Sequence, residues 1–305
     1  MRVAAIDQGT NTTRLLVADV DDGGLRELVR RTEITRLGEG VDERHRLLPL
    51  PVARVRNVLT DYRREAERLG AERTLLVATS AVRDAENGEA FLGEVEWSYG
   101  FATQLLTGDE EAALMLRGVG EIDPGTLVLD IGGGSTELVT LDSRTSLDIG
   151  AVRLTERYLH SDPPTRDELA ACAQYVRTVL PPLDATSAVG VAGTITSLAA
   201  LDLGLDEYDR ERVHGHELSL AGVERQLERL AALPLAQRRE VPALEPERAP
   251  VIVAGAMIAR EVLAVYGLDA YRVSEHDILD GIALAAAELP APVEGDAPPG
   301  AYTCC

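Results

Sequence analysis

The stretch Val128-Leu129-Asp130-Ile131-Gly132-Gly133-Gly134-Ser135-Thr136-Glu137-Leu138-Val139 has a counterpart near the amino end, Ala5-Ile6-Asp7-Gln8-Gly9-Thr10-Asn11-Thr12-Thr13-Arg14-Leu15-Leu16-Val17. Laid over each other, Asp7 falls on Asp130, Gly9 on Gly132, Thr12 on Ser135 and Arg14 on Glu137. Each copy is an apolar strand, a turn of small residues and a second apolar strand. An α/β fold of two duplicated domains is therefore expected, with the active site in the cleft between them and a phosphate-sized ligand held from both sides.

The rest of the chain fits two such halves. Strands are expected near 2–7, 13–20 and 26–34, with Asp21-Asp22-Gly23-Gly24 as a turn that tolerates positive φ. A helix opens near Pro51 and closes at Gly70, and a short buried strand spans Thr74 to Thr79. Thr107-Gly108-Asp109-Glu110 is a capping box that starts a helix to about Arg117. The second half repeats the plan, with strands near 126–131, 136–142 and 146–150 and a capping box at Thr165-Arg166-Asp167-Glu168. A strand over Ala188 to Val191 enters Gly193-Thr194-Ile195-Thr196. Helices are expected near 194–202, 219–232, 249–266 and 277–289, with a strand near 271–274. The expected domains are 1–120 and 121–289, with the last helix free to pack back on the first, and a disordered tail over 290–305.

Composition narrows the function. Thirty basic and 51 acidic residues give a net charge of −21, which disfavours non-specific binding to nucleic acid or to an anionic membrane. A small polyanion is still admissible, because exposed charges are screened within about 8 Å. All 30 basic residues are Arg. With no Lys there is no Gly-Lys-Ser/Thr phosphate loop, so a P-loop kinase is excluded. The cysteines Cys172, Cys304 and Cys305 form no C-x-x-C and suggest neither a disulfide framework nor a zinc site. The first residues meet Asp7 too soon for a signal peptide, and the longest apolar stretch, Ala249 to Ala259, is too short to span a bilayer. A cytoplasmic protein is expected.

The candidate chemistry is that of phosphate. Gly132, Gly133 and Gly134 let a phosphate approach the backbone, whose successive N–H groups can form an anion nest; Ser135 and Thr136 add hydroxyls. A phosphate loop normally avoids carboxylates, so Asp130 and Glu137 make sense as ligands of a divalent cation, Mg²⁺ or Mn²⁺, placed between them and the phosphate oxygens. In the first copy, Gly9, Thr10, Asn11 and Thr12 offer donors, and Arg14 is suited to a bidentate pair with phosphate. Asp7 is expected to contribute to the metal through water. Arg83 is a second candidate phosphate ligand, although a solvated loop arginine explains it nearly as well. Glu111 lies in the first turn of the helix capped by Thr107. A helix-dipole role explains first-turn acids generally, yet Glu110 already caps and Glu111 does not, so Glu111 is the candidate general base. His214 and His216 have no third ligand nearby and read as structural or substrate-lining.

Together, Asp7-Gln8-Gly9-Thr10-Asn11-Thr12, Thr79-Ser80-Ala81-Val82-Arg83, Gly108-Asp109-Glu110-Glu111-Ala112, Asp130 to Glu137 and Ala192-Gly193-Thr194-Ile195-Thr196 resemble the exopolyphosphatase / guanosine pentaphosphate phosphohydrolase family. That family belongs to the actin, hexokinase and sugar-kinase superfamily of duplicated ribonuclease H-like domains. The Asp-x-Gly hairpins alone indicate only the superfamily; the Glu-Glu-Ala segment singles out the phosphatase branch. The resemblance implies release of the terminal phosphate of inorganic polyphosphate or of the 5′ γ-phosphate of guanosine pentaphosphate. It implies Glu111 as catalytic base, Asp130 and Glu137 as Mg²⁺-site acids, and a possible homodimer. Many relatives carry His-Pro-Gly-Arg where this chain has Glu245-Pro246-Glu247-Arg248. Longer relatives continue into further helical domains, so the short form is expected to suit short chains or a nucleotide. A phosphotransferase of the same superfamily, such as a sugar or acetate kinase, and a non-catalytic sensor of guanosine tetra- or pentaphosphate are the alternatives. Glu111 argues against the sensor.

Overall fold

Two sheets organise the chain in the computed structural model, which describes residues 1–21 and 24–290. Residues 22 and 23 of the expected Asp21–Gly24 turn, and the expected tail beyond 290 with Cys304 and Cys305, lie outside the described residues. The described residues divide into a unit formed by Met1–Gly120 with residues 277–290, and a unit formed by Glu121–His276.

The first unit is built on β1 (Arg2–Gln8), β2 (Thr12–Asp21), β3 (Gly24–Ile34), β4 (Arg73–Ala78) and β5 (Ala102–Leu105). Their order is β3-β2-β1-β4-β5. The first three pair antiparallel, whereas β4 runs parallel to β1 and β5 parallel to β4. Val3-Ala4-Ala5-Ile6 is fully buried because β1 is central and covered on both faces. On one face lies the helix Pro49–Leu69, which closes at Gly70 in the left-handed conformation with φ 74°. Its Val55, Leu59, Tyr62 and Ala66 pack with Ala4, Ile6, Leu15 and Val17.

The opposite face carries the helix Ile278–Glu288, against which the helix Gly108–Val119 packs. The last helix among the described residues thus groups with the first unit. The two helices approach closely enough that only glycine fits at the crossing. A Cβ on Gly118 would lie 1.8 Å from the Asp277 carbonyl oxygen, and one on Gly281 would lie 1.9 Å from that of Leu114. Gly281→Ala gains up to about 1 kcal/mol of helix propensity but must push two backbones apart. Overpacking of this kind costs about 1–3 kcal/mol or more. Thermal denaturation of Gly281→Ala is expected to show a Tm several degrees lower, and an unchanged or higher Tm would show that the contact yields easily.

The second unit repeats the first in β6 (Thr126–Ile131), β7 (Thr136–Val139), β8 (Arg144–Leu147), β9 (Ser187–Val191), β10 (Glu217–Ser219) and β11 (Ala270–Val273). Their order is β10-β11-β9-β6-β7-β8. Reading outward from the central strand, β8-β7-β6-β9-β11 reproduces β3-β2-β1-β4-β5, with the same two antiparallel and two parallel pairings. Among the described residues, the strand without a counterpart is β10, an antiparallel edge strand. This is the duplicated ribonuclease H-like arrangement expected from the hairpins. Leu127, Leu129 and Ile131 pack in one core with Ile195, Leu198, Ile258 and Val262 from helices Ala192–Asp202 and Ile252–Tyr266. The third strand ends at Leu147 rather than near 150, because the chain turns there into a helix, Ala151–Tyr158. No helix among the described residues is long and apolar enough to cross a membrane.

Candidate active site

The duplication extends to the turn backbones. Gly9 N–H donates to Thr12 O at 2.9 Å, and Gly132 N–H donates to Ser135 O at 3.0 Å. These are the same bond at aligned positions. Gly9 and the glycines 132–134 are absent from the positive-φ residues, so their lack of a side chain serves close approach and not an unusual backbone. A Cβ on Gly132 would press on Ser135 O at 3.1 Å.

Both turns are tied down from behind. Gly38 and Arg36 N–H groups donate to the carbonyls of Thr10 and Asn11 at 2.8 and 3.0 Å. In the second copy the first amides of helix Ala151–Tyr158 do this. Ala151 N–H donates to Gly132 O at 2.9 Å and Val152 N–H to Gly133 O at 2.8 Å, and Arg153 Nε donates to Gly134 O at 2.8 Å. With their carbonyls held back, the turns form rigid frames. Thr10, Asn11 and Ser135 are buried, while Thr12 is half-buried.

Asp7, at the end of β1, stands directly opposite Arg14 of β2. Arg14 Nε and Nη2 reach Asp7 Oδ2 at 2.8 and 2.7 Å, and Arg14 Nη1 donates to Asp277 Oδ2. Burial pushes the Asp7 carboxyl up from its ordinary pKa, and Arg14 pulls it back. Arg14, expected from the sequence to grip phosphate, is thus held between two carboxylates of its own unit.

Three chain segments of the first unit end at one edge of its sheet. Asp7 pairs with Val77, and β4 continues into the short helix Ser80–Arg83. Beyond β5, the helix Gly108–Val119 starts with the expected capping box, in which Thr107 N–H donates to Glu110 Oε2 at 2.8 Å. Glu111 is buried in its first turn and receives Arg83 Nη1 at 3.4 Å, while that nitrogen also donates to Leu106 O at 2.7 Å. Asp7, Arg83 and Glu111 all stand at the carboxyl ends of parallel strands, where open α/β sheets place ligands.

In the second unit Asp130 and Glu137 occupy one register pair of the β6–β7 hairpin, so their side chains share a face. Both are buried, and Ser146 Oγ donates to Glu137 Oε1 at 2.8 Å. Thr136 points the other way, as strand alternation demands, and its hydroxyl donates to Ile149 O at 2.7 Å. Its side chain is therefore committed to the core and not to a phosphate. Gly193 lies beneath Arg248, where a Cβ would meet Nη1 at 2.3 Å. The Glu245–Arg248 loop thus brings an arginine to the small-residue turn after β9. His214 Nδ1 accepts from Glu275 N–H at 3.2 Å, and His216 Nε2 lies 3.0 Å from Asp202 Oδ2. Both histidines hold local structure.

No group of three or more His, Cys, Asp or Glu among the described residues is placed to hold a metal. Magnesium does not require one. It is usually bound through one or two carboxylates, with waters and substrate phosphates completing its shell, and the Asp130–Glu137 register pair matches that donor set.

The description of the Ppx/GppA phosphatase family matches residues 16–288. The chain belongs to this family. It is 43% identical to exopolyphosphatase 2 of Mycobacterium tuberculosis, over 94% of this chain and 98% of the relative. It is 30% identical to exopolyphosphatase 1 of Mycobacterium bovis, over 93% and 88%. Among solved structures, the Ppx/GppA family member of Aquifex aeolicus is 33% identical, with a TM-score of 0.78 over 94% of this chain and 97% of that one. The duplicated Asp-x-Gly turns and the Glu111 helix are therefore parts of a Ppx/GppA fold.

Proposed function

We propose that the chain is an exopolyphosphatase, releasing the terminal phosphate of inorganic polyphosphate, with guanosine pentaphosphate as a second substrate through its 5′ γ-phosphate. The observation that carries the reading is Glu111, a buried carboxylate with Arg83 against it at the strand ends of the first unit. The full-length similarity to proteins named exopolyphosphatases supports the substrate class.

In this mechanism the amides and hydroxyls of the turns at Gly9–Thr12 and Gly132–Ser135 bind phosphate oxygens, their carbonyls being tied back. Arg83 holds Glu111 in place and offers positive charge to an incoming phosphoryl group. Glu111 orients a water and takes its proton as that water attacks phosphorus, leaving orthophosphate and a chain shorter by one unit. Asp130 and Glu137 of the second unit would hold Mg²⁺, and Asp7 is the first unit's candidate acid toward the ion; when bound, the ion offsets negative charge on the phosphoryl oxygens.

One assay panel tests the reading: phosphate release, with Mg²⁺, from short polyphosphate, long polyphosphate and guanosine pentaphosphate. Release from short polyphosphate is expected. No release from any of the three would overturn the proposal, and release from the nucleotide alone would reassign the substrate.

A further inference from the structure

The carboxyl-terminal helix brings a charged cluster to the back of the first turn. Its N-cap, Asp277, does two things at once. One carboxylate oxygen accepts Leu279 N–H at 2.9 Å and so caps the helix, and the other accepts Arg14 Nη1. Three residues on, Asp280 closes a capping box by accepting Asp277 N–H at 3.2 Å, and takes Arg30 Nη2 on both oxygens at 2.9 and 3.0 Å. Arg14 comes from β2 and Arg30 from β3, on the sheet face that this helix covers. All five side chains are largely buried, the two arginines being 13% and 15% exposed and the carboxylates no more than 7%.

The planar guanidinium of Arg14 is fixed by this arrangement. Its Nε and Nη2 both meet Asp7 on one oxygen, Oδ2. With Asp277 holding Nη1, its plane is set from two sides, and the Asp7 carboxylate is aligned in turn. We infer that Asp277 is a positioning residue for the first phosphate turn: it locks Arg14 against Asp7 and so sets the orientation of the carboxylate from which that turn begins. The inference rests on the proposed function for the role of Asp7 toward the divalent ion.

Asp277→Asn is the discriminating variant. Asn caps helices as well as Asp does, and the cluster keeps two guanidiniums facing two carboxylates, so the fold should hold. Removing an outer partner of a metal-site carboxylate typically costs about 10–100-fold in affinity or activity. Acting one residue further out, Asp277→Asn is expected to raise the dissociation constant for Mn²⁺, read by electron paramagnetic resonance without substrate, by about tenfold, and to lower kcat by a similar factor with a smaller change in KM. Its Tm should stay within a few degrees of wild type. Arg14→Lys cannot form the fork and should give a comparable loss. The double variant should lose little beyond the larger single loss, because Asp277 acts on Asp7 through Arg14. Wild-type Mn²⁺ affinity and kcat in Asp277→Asn would overturn the inference, as would losses that multiply in the double variant. If Asp277→Asn fails to fold, Arg14→Lys with wild-type Mn²⁺ affinity overturns it equally. A wild-type protein that releases no phosphate sinks the proposed function, while the Mn²⁺ titration still decides the role of Asp277; a wild-type protein that binds no Mn²⁺ overturns the inference itself.

Discussion

Glu111→Gln is expected to lower kcat for phosphate release by about 10²–10⁴, the range attributed to a positioned general base, while KM changes little. Gln has nearly the shape of Glu and still presents an oxygen to Arg83 Nη1, which lies 3.4 Å from Glu111 Oε2. What it lacks is the basic carboxylate that takes the proton from water. The competing role, a first-turn acid favouring the helix dipole, is worth about 0.3–1 kcal/mol of stability. The capping box of the same helix, Thr107 with Glu110, is untouched by the change. The two roles therefore predict different things. A base gives a large loss of turnover with a nearly unchanged Tm, whereas a helix-dipole acid gives a slightly lower Tm with normal turnover. Steady-state kinetics beside thermal denaturation separates them, and turnover within a few fold of wild type would remove Glu111 from the reaction.

What the sequence made readable is what short-range chemistry determines. The hairpins announce themselves because apolar strands flank a small-residue turn, and both copies close with the same Gly N–H to Thr or Ser carbonyl bond. The capping boxes at Thr107 and Thr165 are visible as four-residue patterns and occur as read. Glu111 could be singled out because Glu110 already had a local task.

The unread parts have partners far along the chain. The helix Ala151–Tyr158 has no side-chain cap, since its first amides bind the carbonyls of Gly132 and Gly133. The helix Gly88–Tyr99 and the four-residue edge strand β5 that follows it give weak signals, the helix containing Gly93 and an exposed Trp97. Arg14 reads as a phosphate ligand from its own hairpin, and nothing within that hairpin reveals Asp277 as its second partner. Chain order groups the last described helix with the second half and left it free to pack back on the first, and the contact that seats it on the first sheet, the crossing at Gly118 and Gly281, joins residues far apart along the chain. Thr136 is the exception, since strand alternation already sets it on the face opposite Glu137.

The second large effect is expected at Glu137. Asp130 and Glu137 are paired across the β6–β7 hairpin and are both buried. Like charges directly opposite on a sheet face repel, and a divalent cation bound by the two carboxylates, as proposed, would offset that repulsion. Ser146 Oγ fixes Glu137 Oε1 from the neighbouring strand at 2.8 Å, and Gln at this position keeps an oxygen for that bond while losing the charge. A divalent ion on a phosphoryl oxygen is worth several kcal/mol in the transition state, and about 1.4 kcal/mol is a factor of ten in rate. Glu137→Gln is therefore expected to lower kcat/KM by about 10²–10³ at limiting Mg²⁺ and to recover part of the loss as Mg²⁺ is raised. Chelation should abolish phosphate release by the wild-type protein, and added Mg²⁺ should restore it. The magnesium titration is the decisive measurement, because a variant damaged only in its fold would be equally poor at every concentration. If Glu137→Gln kept the wild-type half-activation concentration and wild-type kcat/KM, the carboxylate pair would have no part in metal binding, and the rate would have to come from the turn amides, Arg83 and Glu111.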